Sequence, residues 1–164
     1  MTKFALALCA AMLAQPASAA LPHPADLSLD AATSLASAAI GACRVQGRAI
    51  VVSVVDRSGN LVAVQRADGV GPHNTEASRR KAYTALSTRS STLELARKAA
   101  AEPDARNLAS LPELLLLGGG VPLRAEGQVV GAIGVAGGGG AVNDHACAGA
   151  AIASHPAFDR LLSN

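Results

Sequence analysis

Tryptophan is absent from this 164-residue chain, and the other aromatics are scarce: one tyrosine and two phenylalanines. Base stacking on aromatic platforms is almost excluded. No strong excess of one charge exists either, because the formal net charge is +2. A nucleic-acid partner would favour a markedly basic face, and none is visible. Three cysteines occur without CxxC or CxxCH spacing, which excludes covalent c-type haem attachment. GxSxG, HExxH and GxGxxG motifs are missing, as is any carboxylate pair with supporting context. Gly131 to Gly137 lies within an extended apolar stretch and opens no helix, so a dinucleotide site is rejected.

Long apolar runs are also lacking, apart from Phe4 to Leu13, which is too short to span a bilayer. Lys3 precedes that run, Gln15-Pro16 breaks it, and Ala17-Ser18-Ala19 has the small residues of a cleavage site. Residues 1–19 are therefore expected to be a secretory signal peptide, cut after Ala19. Residues 20–164 would form one exported domain with no membrane insertion, periplasmic or secreted. Both methionines, Met1 and Met12, would leave with the signal, so a methionine axial ligand to iron is excluded. Cys43 and Cys147 would remain. In an oxidising compartment they can pair, or they can simply be two small buried apolar residues.

Asp26 or Ser28 can cap a helix over about 29–46, with Ala31, Leu35, Ala38 and Ala42 forming its apolar stripe. Residues 49–55 are rich in β-branched side chains and read as a strand, paired through Asp56-Arg57-Ser58-Gly59-Asn60 with residues 61–66. A helix over about 75–89 is capped by Asn74 or Thr75, and Ser91-Thr92-Leu93-Glu94 is a capping box that starts another. Residues 102–112 read as irregular. Leu114 to Leu117 reads as a short central strand, followed by strands at 121–124 and 128–135 around the turn Glu126-Gly127. A last helix covers about 142–154. The order predicts an α+β sandwich with five antiparallel strands flanked by helices.

The segment Asp68 to Thr84 carries the chemistry. Gly71-Pro72 delivers His73 to the mouth of a helix, and Arg79, Arg80 and Lys81 follow within two turns. Imidazole ligates iron, and clustered cations attract carboxylates or phosphates, which suits a propionate-bearing tetrapyrrole such as haem. Successive helical residues splay by about 100°, so the three cations cannot share one pocket, and at least one is a solvated surface charge. Tyr83 can share a face with Arg79, as a phenolate ligand, a stacking ring or an ordinary core residue. Asp144 reads as a charge favourable to a helix start. His145 is the candidate second ligand, within one chain or across a subunit interface, while His23 and His155 read as incidental.

Several of these blocks, taken in order, resemble the GlcG/HbpS family, which includes the C-terminal domain of PduO-type proteins. They are Val54 to Gly59, Asp68 to Thr84, Leu116 to Leu123, Gly127 to Val135 and Asp144 to Ala148. The resemblance implies a five-stranded antiparallel sheet flanked by helices, homo-oligomers and haem binding, with corrinoid or glycolate metabolism linked to some members. The leading expectation is an exported protein that sequesters, carries or senses haem. The alternatives are an enzyme that handles a small carboxylate in the same pocket, with His73 as acid or base, and a non-catalytic accessory protein.

Overall fold

The computed structural model describes residues 25–159; the expected signal peptide and His23 lie outside them. Helix α1 (Leu29–Arg44) starts where the Ser28 hydroxyl accepts from the Ala31 amide at 3.2 Å, satisfying a donor that lacks an intrahelical partner. Strands β1 (Val51–Asp56) and β2 (Leu61–Arg66) pair antiparallel. Their turn is held by Asp56 Oδ1, which accepts from the Ser58 and Asn60 amides at 2.9 and 2.8 Å.

Helix α2 (His73–Thr88) begins two residues before its expected start, and neither Asn74 nor Thr75 caps it. Pro72 takes that place with φ −62° and ψ −30°, already helical, and it has no N–H to leave unsatisfied. Helix α3 (Thr92–Ala101) has the expected capping box: Ser91 Oγ accepts from the Glu94 amide and the Glu94 carboxylate reaches back to Ser91. The stretch expected to be irregular contains a short helix, α4 (Pro103–Arg106), and one 3₁₀ turn (Asn107–Ser110).

Strands β3 (Gly120–Ala125) and β4 (Gln128–Ala136) meet at a tight turn in which Glu126 and Gly127 have φ of 52° and 74°. Left-handed geometry at both positions matches the twist of an antiparallel hairpin. Helix α5 (Ala141–Ala153) closes the order. The sheet runs β2-β1-β4-β3, antiparallel throughout.

Four strands, not five, are present among the described residues. Leu114 to Leu117 is the exception to the expectation, because side chains from the helices take up its backbone polar groups. Arg80 donates to the Leu114 carbonyl, Thr84 Oγ1 accepts from the Leu115 amide, and Thr92 Oγ1 donates to the Leu117 carbonyl. With those groups satisfied, no ladder is needed. The run is only partly buried, and unbranched leucine gives it no strong strand preference.

Strand alternation sends side chains to two faces. Val52, Val54, Val121, Leu123, Ile133 and Val135 pack with α1 and α5 in the main core. Val55 and Ala132 meet Ala82 and Ala85 of α2 on the opposite face. The sheet permits this close approach because Gly134 and Gly120 lack side chains. A Cβ at Gly134 would collide with the Ser78 carbonyl, and one at Gly120 with that of Lys81. Cys43 of α1 and Cys147 of α5 form a fully buried disulfide, with Cα atoms 5.5 Å apart.

Candidate functional site

At the N-terminal end of α2, a groove of about 370 Å³ opens beside His73. Helical spacing puts His73, Ala77 and Lys81 on one face, and all three line it. The facing wall is Leu117, Ala136 and the loop Gly137 to Ala141. His73 is exposed, and among the described residues its ring has no hydrogen-bond partner. Two of the loop residues, Gly139 and Gly140, bring no side chains to the wall. Leu117 and Val142 stand exposed near the rim.

The floor is an ion pair. Lys81 Nζ donates to Asp144 Oδ2 at 2.7 Å and to the Val135 carbonyl at 2.9 Å, with both side chains almost wholly buried. Asp144 Oδ1 accepts from the Gly138 amide at 2.7 Å, so the pair also anchors the glycine loop. Lys81 is therefore an internal brace with its charge compensated. Asp144 does occupy the first turn of α5, as a favourable dipole charge would. Its partner 63 residues away left no local signal in the sequence.

The other two cations of the cluster are also engaged. Arg79 is exposed and forks onto Glu76 at 2.6 and 2.9 Å; this pairing holds the Glu76 carboxyl below its usual range and the guanidinium above its own. Arg80 donates to the Leu114 carbonyl at 2.7 Å. Arg48 is the cation that sequence reasoning missed. Its guanidinium donates to the Gly138 carbonyl and lies against Gly139, from a neighbouring cavity that Arg44, Arg66 and Asp68 also line.

Tyr83 lies beyond this groove. It lines a separate cavity toward the other end of α2 and packs against Gly59. His145 is half-buried on α5, and its Nδ1 is enclosed without a partner. Burial pushes its pKa down and nearby Arg97 adds to that, while Glu94 pulls the other way. His145 does not line the His73 groove, although Ala141, one turn earlier, does. His155, read as incidental, bridges two helices: Ser34 of α1 contacts its Nε2 at 2.9 Å, and the Ala151 carbonyl of α5 contacts its Nδ1 at 2.9 Å.

Residues 27–153 match the model of a family described as "Haem degrading protein HbpS-like". The chain belongs to the HbpS-like family. Among solved structures, a double mutant of Streptomyces reticuli HbpS superposes with a TM-score of 0.76 at 39% identity, covering 90% of this chain and 97% of that one. PduOC, solved as its haem complex, gives 0.73 at 26% identity, with 82% and 98% covered. An uncharacterised 15.0 kDa protein from Citrobacter freundii is 35% identical over 118 residues, which is 70% of this chain and 82% of that protein. The HbpS-like assignment covers the His73 groove, the Lys81–Asp144 brace and the disulfide together.

Proposed function

We propose that this protein is exported and binds haem at the His73 groove, to sequester, carry or sense it. The observation that carries the reading is an exposed imidazole, unpartnered among the described residues, facing a wall of glycine, alanine and leucine, in a chain of the HbpS-like family. The donor set fits the group. His73 would hold the iron, Ala77, Leu117 and Ala136 would cover part of the ring, and Arg48, which lies against Gly139 of the same loop, would be the candidate for a propionate. When bound, haem supplies a redox-active iron with a strong Soret band. The chain would supply a nitrogen ligand, one apolar face and a rigid floor, since the Lys81–Asp144 brace holds the loop against α2.

The groove would cover one part of a tetrapyrrole, and a second copy would cover the rest of the ring. The exposed Leu117 and Val142 near the rim suit such a contact. Export is supported by the sequence of residues 1–19 and by a buried disulfide, which persists in oxidising compartments. A small carboxylate in the same groove is less favoured, because the cation on its floor is already paired with Asp144.

Haemin titration of residues 20–164, followed by absorbance, tests the reading. The expected result is a saturable Soret band that shifts or collapses in His73→Ala and is retained in His145→Ala. A weak, non-saturating change in the unaltered protein would remove haem from consideration. A normal spectrum for His73→Ala would remove His73 from the site.

A further inference from the structure

A cluster of three arginines lies away from His73. Arg57 from the β1–β2 turn, Arg89 just past α2 and Arg124 from β3 line one open cavity of about 540 Å³. Tyr83 and Leu86 form its apolar wall, and Ser87 adds a hydroxyl. No carboxylate is among the lining residues. Of the nearby acids, Asp56 holds its own turn, Asp26 accepts from the Leu27 and Arg57 amides, Asp159 accepts from the Glu126 and Gly127 amides, and Glu126 is exposed in the turn beside Gly127. Arg89 is 16 positions beyond His73, or about 24 Å along a helix at about 1.5 Å per residue, so this is a separate place.

Two of the arginines show construction. The Arg124 guanidinium is held by the carbonyls of Arg89 and Gly127, at 3.1 and 3.4 Å, and so is aimed before any ligand arrives. Arg89 terminates α2 with φ 54°, the left-handed geometry that glycine adopts at least cost. A bulky cation in that position is a local compromise of the kind that gathers at binding sites. Among the described residues, nothing accepts a hydrogen bond from the side chain of Arg57 or Arg89.

We propose that this cavity binds a compact organic anion carrying two or more carboxylate or phosphate groups. Guanidinium forks match the oxygen pairs of both groups, and three of them around one cavity call for more than one negative charge. The Tyr83–Leu86 wall leaves room for a short carbon skeleton between the acid groups. The cavity depends neither on His73 nor on haem.

Calorimetric titration of the purified protein at low ionic strength, with citrate and with inorganic phosphate as probes, tests this. The expected result is saturable binding of citrate, one per chain and tighter than that of phosphate. It should weaken about tenfold in Arg57→Gln and in Arg89→Gln, as loss of a charge-assisted hydrogen bond requires. It should be unchanged in His73→Ala. Arg124 is left intact because it also supports backbone. No saturable binding of either probe would overturn the proposal, and so would binding indifferent to both substitutions. Loss of haemin binding in Arg57→Gln would overturn the separateness of the cavity and make it a propionate seat.

Discussion

At the scale of single residues, the informative contrast is between Lys81 and the two arginines before it. All three read alike in sequence, as one cationic cluster at a helix start. Helical geometry disperses them: Arg79 to solvent and Glu76, Arg80 to a loop carbonyl, and Lys81 into the interior against Asp144. A buried charge is tolerated only when paired and hydrogen-bonded, and removing one partner leaves the other desolvated. Lys81→Met is thus expected to destabilise the fold by about 3–5 kcal/mol, read from urea unfolding. Lys81→Met combined with Asp144→Leu should recover part of that loss, because no charge is then stranded. If the single variant unfolded like the parent, the brace would have no structural weight.

At the scale of elements, local signals were reliable wherever backbone partners lie within a few residues. The capping box of α3 is one case, since Ser91 and Glu94 satisfy each other three positions apart. Ser91→Ala should cost about 1 kcal/mol, measured as a lower denaturation midpoint with an unchanged m-value. An unaltered midpoint would mean that water replaces the cap. The leucine run at 114–117 shows the opposite situation. Its apolar composition suggested a strand, but side chains of Arg80, Thr84 and Thr92, each more than twenty positions away, satisfy its backbone. The early start of α2 is the exception among the local signals. Proline before a histidine looks like loop punctuation until its dihedrals are seen to be helical.

At the scale of the whole molecule, α1 and α5 pack on one face of the sheet and are joined by the Cys43–Cys147 disulfide across a separation of 104 residues. A cross-link that closes so long a loop restricts the unfolded chain strongly, and loss of a native disulfide typically costs about 2–5 kcal/mol. The double variant Cys43→Ser, Cys147→Ser should therefore melt on the order of 10 °C lower. An unchanged melting temperature, together with two titratable thiols in the parent, would show that the bond does not form in the purified protein. The exposed Leu61 and Val64 of the outer strand β2, with Leu117 and Val142 near the groove, leave apolar surface for the proposed self-association.

Periodicity, β-branching, caps and turn residues are properties of neighbouring positions, and by themselves they determined α1, α2, α3 and α5, both hairpins, the antiparallel class and the place of His73 at a helix mouth, but not the short α4. The family resemblance lay in the same blocks. Only the tertiary structure decided which polar groups meet across the chain. It paired Lys81 with Asp144, set Arg48 against the glycine loop, moved Tyr83 to another cavity and brought Arg57, Arg89 and Arg124 together. Such contacts depend on how the sheet orders β2-β1-β4-β3 and on how closely α2 can approach it over Gly120 and Gly134. Charges far apart in sequence carry no local mark of the partner that packing will give them.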